Sequence, residues 1–264
     1  MLSLGSQIFA QLPFGAKIAV LLRLRDVPKL HSHSAGGEKR ENIGTYPLIP
    51  SIFIINTQES FCNGRVMFKR MLRNKEQWEE IYRANETPWD AKSPDPFLVS
   101  LIRAKTITPC KAIDIGCGFG NETIFLAKNG FKVTGIDISK GAISEARKRA
   151  DKAGAICEFL TSNILDLDIQ GVFDFALDRA CFHFLDPEER DEYVKKLSKL
   201  LRPGSLFLLI VSSNKETFKG PYQFSRKGIV DIFKKDFIIE NIQLSTLETH
   251  AEKPKPYICM LRKT

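Results

Sequence analysis

Paired cysteines are missing from this chain. Its six cysteines (Cys62, Cys110, Cys117, Cys157, Cys181, Cys259) include no C-x-x-C pair, and its four histidines add no zinc-ligand spacing. Several of the cysteines lie inside apolar runs, where a reduced thiol behaves as a small hydrophobe. A disulfide-stapled or metal-held fold is therefore not expected, and a reducing, cytoplasmic compartment is. Long apolar runs are missing too: none approaches the ~18 residues of a membrane-spanning helix. Nor is charge segregated. The formal net charge is +8 and the pI about 9.1, but Lys and Arg alternate with Glu and Asp along stretches such as 145–152. That pattern marks a solvated face, so neither nucleic acid nor membrane is an expected partner. What is left is ordinary: 264 residues, 43% hydrophobic and 27% charged, enough for one large globular domain or a domain with an appendage.

The informative stretch is 112–137, AIDIGCGFGNETIFLAKNGFKVTGID. Residues 112–115 read as a buried parallel strand. Gly116, Gly118 and Gly120 follow at alternate positions, and a helix starts near Asn121 with Ile124, Phe125 and Ala127 expected inward. A second strand, 131–136, ends at Asp137. Strand, glycine turn, helix, strand and acid form a βαβ unit for a nucleotide-like ligand, with Asp137 placed to accept both ribose hydroxyls. The spacing is G-x-G-x-G instead of the dinucleotide G-x-G-x-x-G, and Asp114 stands two residues before the first glycine. A carboxylate there repels a pyrophosphate and attracts an ammonium. The ligand so described is S-adenosylmethionine (SAM), which has a ribose and an α-amino group and no phosphate. The alternative is a structural glycine turn in some other α/β protein.

Along the rest of the chain, residues 1–66 hold four prolines, scattered apolar patches and a Ser/Gly/charge-rich stretch at 31–41. They read as a poorly structured extension, either a targeting segment (the first 25 residues lack acids) or sequence upstream of a natural start at Met67. The domain proper is expected over 67–264. It opens with an amphipathic helix, 68–84, whose apolar positions include Leu72, Trp78, Ile81 and Tyr82, and a turn, E-T-P-W-D, follows at 86–90. Helices are expected at 97–104, 140–153, 187–201 (ended by the Pro203-Gly204 turn) and 225–234. Further strands are expected at 156–161, 173–177, 206–211, 237–244 and 257–262. Seven strands alternating with helices predict a doubly wound α/β sheet, with the last two strands antiparallel because no helix separates them.

D-I-G-C-G-F-G followed by G-I-D-I-S resembles the first two motifs of class I SAM-dependent methyltransferases. The outer segments narrow the resemblance. W-E-E-I-Y-R-A-N-E-T-P-W-D from Trp78, L-D-R-A-C-F-H-F from Leu177 and G-P-Y-Q-F-S from Gly220 resemble the thiol and halide methyltransferases, whose relatives include the thiopurine and tellurite-resistance methyltransferases. The resemblance covers about residues 75–263. It implies a Rossmann-like sheet of strand order 3-2-1-4-5-7-6 with an N-terminal helical lid. It also implies a SAM site of Trp78, Tyr82, Trp89, Asp114, Gly116, Cys117, Gly118, Asp137, Ile138, Asn163 and Ile164. Asn163 reads equally as a plain loop asparagine. The segment after strand 4 is expected to face the acceptor, with Asp178, Arg179 and His183 as catalytic candidates and Arg179, Phe182 and Tyr222 as acceptor contacts. His183 between two phenylalanines also fits a packed or capping role. Tyr82 stands where the plant members carry tryptophan, and Arg179 where they carry tyrosine.

The expected activity is methyl transfer to a small soft nucleophile (a thiol, halide, thiopurine or metalloid oxyanion) by in-line displacement, in a monomer. Alignment and exclusion of water supply most of the acceleration for such an acceptor. Two other readings compete: a nucleic-acid or protein methyltransferase, and a non-catalytic SAM-binding regulator. Against the former, L-D-R-A after strand 4 lacks the N/D-P-P-Y-type tetrapeptide of enzymes that methylate base amino groups.

Overall fold

The computed structural model describes residues 74–169, 173–216, 222–246 and 254–264. The expectations for 1–66 and for the first turn of the 68–84 helix lie outside these residues. Among the described residues, seven strands form one sheet: β1 (Lys111–Ile115), β2 (Lys132–Asp137), β3 (Glu158–Thr161), β4 (Phe173–Arg179), β5 (Leu201–Val211), β6 (Phe237–Leu244) and β7 (Tyr257–Lys263). Their order is β3-β2-β1-β4-β5-β7-β6, as expected. β7 is antiparallel to both β5 and β6.

Six helices flank the sheet: α1 (Lys75–Ala84), α2 (Pro96–Arg103), α3 (Asn121–Lys128), α4 (Lys140–Ala153), α5 (Arg190–Leu200) and α6 (Arg226–Phe233). Local chemistry sets their starts. Asn74 and Gln77 form a capping box on α1, Asp95 caps α2 ahead of Pro96, and Ser139 and Ser225 cap α4 and α6. The strands alternate between two apolar layers. Ile113, Ile115 and Ala176 pack with Leu197, Phe207 and Phe233 on one face. Ala112, Phe175 and Leu177 pack with Leu98, Leu126 and Leu208 on the other. Both faces of β1 and β4 are thus covered, which is why they read as unbroken apolar runs.

One local expectation is corrected and another is refined. Helix α5 ends at Leu200 and β5 begins at Leu201, so Pro203 and Gly204 lie inside the strand and do not form the turn before it. Gly204 has φ +82°, and pairing with β4 shifts register between Phe173 and Phe175. Proline and a left-handed glycine are tolerated at such an irregularity. In α3 the expected Ile124, Phe125 and Ala127 are half-buried and do pack against the core, but the buried positions are Glu122, Thr123 and Leu126. Hydrophobicity alone does not find the most buried line of this helix, because two polar side chains lie on it. The carboxyl ends of β1, β2 and β4, where strand order reverses, meet above this helix start, at the place where doubly wound sheets take their ligands.

Candidate active site

Asp137 closes β2 and sits at the centre of the cleft. Its Oδ2 accepts the Gly118 N–H at 3.0 Å and the Tyr82 hydroxyl at 3.5 Å, and its Oδ1 accepts the Ser139 N–H at 2.9 Å. Burial pushes its carboxyl up to about 6, against the pull of the Ser139 and Gly118 N–H groups. Tyr82, itself buried, titrates well above its ordinary range and keeps the proton it donates. The glycine turn is crowded from both sides. A β-carbon on Gly116 would lie 2.6 Å from the Cys181 Cβ, and one on Gly118 would lie 3.2 Å from the Tyr82 hydroxyl. Both glycines have positive φ, +69° and +52°. Ile138 is half-buried beside Asp137, and Cys117 is buried against Ile143, Ala146 and Phe159.

Behind the turn lies a group of buried acids. The Asp114 Oδ2 accepts the Thr123 hydroxyl at 2.6 Å. Burial, and then the charge of Glu122, raise Asp114, and burial also raises Glu122. Glu122 Oε1 accepts the Asp95 N–H at 3.2 Å. The Arg179 Nε lies 3.5 Å from both the Asp95 Oδ2 and the Glu122 Oε1. Its Nη1 reaches the Trp89 carbonyl at 3.5 Å. One guanidinium thus lies against two buried acids, Asp95 and Glu122, with the buried Asp114 bonded to Thr123 nearby. Burial holds Asp114 at about 8, so it is largely protonated at neutral pH until a nearby cation, such as the ammonium of SAM, favours its charged form.

The aromatics gather over this cleft. Trp78 packs edge-on against Trp89 (5.9 Å between centroids) and Phe184 (4.9 Å), and Tyr82 against Phe119 (5.1 Å). The lid helix and the P-W-D turn therefore span from the glycine turn to the segment after β4.

Several expected positions face elsewhere. Asp178 is fully buried and turned inward, with Oδ1 on the Cys181 N–H (2.9 Å) and Oδ2 on the Tyr193 hydroxyl (2.6 Å) and the Phe182 N–H (3.1 Å). Phe182 is not an acceptor contact in this arrangement. It is buried in the core against Tyr193, Phe224 and Phe233. The His183 Nδ1 accepts the Ser212 N–H at 3.1 Å. Burial, and then the Arg179 charge, push His183 down to about 3. Its accepting lone pair is used and its affinity for a proton is low, so it is held as a neutral packing residue. Asn163 accepts the Leu165 N–H at 3.1 Å and caps a 3-10 turn, and Ile164 is buried in the core. The Tyr222 hydroxyl donates to Asp186 at 2.6 Å, and its ring lies under the Arg190 guanidinium.

Sequence reasoning missed Asp95, Glu122, Phe184 and the two residues that fasten the lid, Glu79 and Arg149. Asp95 carried a signal, a capping acid before proline. Glu122 carried one too, an acid in the first turn after the glycines. Glu79 and Arg149 look like any charge on a solvated helix.

The fold and this cleft define a class I SAM-dependent methyltransferase. Residues 73–257 match the thiopurine S-methyltransferase (TPMT) family, and the chain belongs to it. It is 26% identical over 166 residues to a probable thiol methyltransferase 2 of Arabidopsis thaliana, covering 61% of this chain and 74% of that one. Among solved structures, one from work on the conversion of a disulfide bond into a thioacetal group during echinomycin biosynthesis is similar at TM-score 0.63. It is 26% identical, covering 72% of this chain and 93% of that one. The fold is also that of a Burkholderia thailandensis 1,6-didemethyltoxoflavin-N1-methyltransferase bound to S-adenosylhomocysteine (TM-score 0.61, 21% identity, 72% and 87% covered). Among the described residues no helix is long and apolar enough to cross a membrane, and no group of three or more His, Cys, Asp or Glu is placed to hold a metal ion.

Proposed function

We propose that the protein methylates a small soft nucleophile that arrives as an anion, such as a thiolate or a halide. The observation that carries this reading is the state of the two candidate bases. His183 spends its Nδ1 lone pair on the Ser212 N–H, and Asp178 spends its oxygens on Tyr193 and the backbone. An oxygen or nitrogen acceptor must lose a proton, and neither group is free to take it. A thiolate or halide has none to lose. The similarity to a thiol methyltransferase of Arabidopsis thaliana points the same way.

SAM supplies an electrophilic methyl on a sulfonium. Asp137 holds the ribose, the glycine turn lets the backbone approach the ligand, and Asp114 can ionise in answer to the ligand's ammonium. The ring cluster of Trp78, Tyr82, Trp89 and Phe184 excludes water, which leaves alignment as the main source of rate. Arg179, already paired with Asp95 and Glu122, fixes the floor of the acceptor side and ties it to Trp89. The test is SAM consumption against a panel of thiols, halides, thiopurines, metalloid oxyanions and amines across pH. The expected result is turnover with the soft anions that follows each acceptor's own ionisation. Turnover confined to amines would overturn the reading.

A further inference from the structure

We propose that Glu79 and Arg149 are positioning residues for the methyl donor: they fasten the lid to α4 at two points, and this fastening sets how long the donor is held. The inference rests on the Asp137 cleft being the SAM site.

The first point is the N-terminus of α4. The Glu79 carboxylate accepts the Lys140 N–H, the Gly141 N–H at 3.0 Å and the Ser139 hydroxyl at 2.9 Å. The first N–H groups of a helix have no acceptor within it, and a carboxylate there also complements the helix dipole. A β-carbon on Gly141 would lie 3.1 Å from the Glu79 Oε2, so glycine is what lets the acid come this close. Partial burial works against the charge on Glu79. The Gly141 and Lys140 N–H groups and the Ser139 hydroxyl outweigh it and leave the carboxyl below its ordinary value.

The second point lies further along the same helix. Arg149 grips Asp90 of the P-W-D turn through two parallel contacts, 3.2 Å to Oδ1 and 3.0 Å to Oδ2. The Asn121 amide donates to the same Oδ1 at 2.7 Å. The guanidinium lies 4.4 Å over the Phe119 ring. Side-chain exposures of 26% for Arg149 and 8% for Asp90 take this pair out of the class of screened surface bridges.

These two attachments bracket the ligand contacts. Ser139, which Glu79 holds by its hydroxyl, gives its N–H to Asp137. Tyr82, three residues after Glu79 on α1, puts its hydroxyl on the other Asp137 oxygen. The lid cannot lift from Asp137 without releasing Glu79 from α4 and Asp90 from Arg149. Donor exchange therefore requires both to let go.

The experiment uses the full chain and the fluorescence of Trp78 and Trp89, the two tryptophans of the sequence. Bound S-adenosylhomocysteine is chased with excess SAM in a stopped-flow instrument, and steady-state kinetics are run beside it. Glu79→Ala and Arg149→Ala are each expected to speed dissociation about tenfold and to raise the KM for SAM more than they lower kcat. Glu79→Gln, which keeps the side chain's shape, is expected to fall between wild type and Glu79→Ala. Glu80→Ala, at an exposed neighbour that pairs with Arg83 on its own helix, is expected to change neither rate. Unchanged dissociation in folded Glu79→Gln and Arg149→Ala would overturn the latch while leaving the SAM site intact. Failure of the wild type to bind S-adenosylhomocysteine would overturn both.

Discussion

The Tyr82 hydroxyl rests 3.5 Å from the Asp137 Oδ2, the same oxygen that takes the Gly118 N–H. The lid thus reaches the acid expected to hold a ribose, and the state of that acid governs both contacts. Burial lifts Asp137 from 3.8 to about 6. Below that pH it is protonated, and a protonated carboxyl is a poorer acceptor for ribose hydroxyls. Affinity for S-adenosylhomocysteine is therefore expected to weaken as pH falls through about 6, by up to about tenfold per pH unit. The sign for stability is opposite. Between the unfolded and folded values the native state binds more protons, so this residue's contribution to stability falls as pH rises across that window. Calorimetric titrations from about pH 5 to about pH 7 are the check, with Asp137→Asn expected to bind weakly and to flatten the profile. Wild-type-like affinity in folded Asp137→Asn would remove Asp137 from the donor site.

A second prediction comes from the crowded glycine turn. Gly116→Ala places a β-carbon 2.6 Å from the Cys181 Cβ at φ +69°. The expected loss of stability is on the order of 1–3 kcal/mol, read from urea melts. Cys181→Gly in the same chain removes the overlap but not the backbone strain, so it is expected to recover only part of the loss. Full recovery would mean that the strained φ costs nothing here. No recovery would mean that the clash is absent.

Much of this was legible from residue order because the strong signals were local. The apolar run 112–115, the three glycines and Asp137 announce one βαβ unit, and the missing helix between β6 and β7 announces their antiparallel pairing. The resemblance supplied the strand order. What stayed hidden depends on which way a side chain turns. Asp178 near the end of β4 and Phe182 just after it look placed for the ligand, yet they point into the core, because Tyr193 and two backbone N–H groups satisfy the acid there. The buried acid of α3 was hidden for the same reason. Glu122 is buried by its contacts to the Asp95 N–H and Arg179, and its place in the first turn after the glycines marks it as an acid of the site without revealing those distant partners.

The neutral role given to His183 has its own test. His183→Asn offers an amide oxygen in place of Nδ1 as acceptor for the Ser212 N–H. Turnover of a thiol above its own pKa is expected to stay within about threefold of wild type, with no change in the shape of the pH profile. Loss of activity with every acceptor, at unchanged affinity for S-adenosylhomocysteine, would restore His183 as a base and favour an oxygen or nitrogen acceptor.

Arg179 carries the sharpest prediction, because two roles for it lead to different data. A free guanidinium beside the acceptor would act by attracting an anion, and Arg179→Met would then raise the KM for the acceptor alone. In the structure its side chain is only 15% exposed and lies between Asp95 and Glu122. Removing it leaves two buried carboxylates without their cation, a loss of about 3–5 kcal/mol in comparable buried pairs. It also removes one of the two contacts to the Trp89 carbonyl, which keeps the Ala91 N–H at 3.1 Å, and so loosens the turn that carries the lid. Arg179→Met is therefore expected to lower the melting temperature and to raise the KM for SAM as well as for the acceptor. The deciding variant is the double one. Adding Glu122→Gln removes one of the stranded charges, so the double variant is expected to be more stable than Arg179→Met alone, a non-additivity that a double-mutant cycle reads directly. If instead the two changes simply add, and Arg179→Met alters only the acceptor's KM in a protein that melts like wild type, Arg179 acts on the acceptor's charge and the ion pairs with Asp95 and Glu122 are incidental.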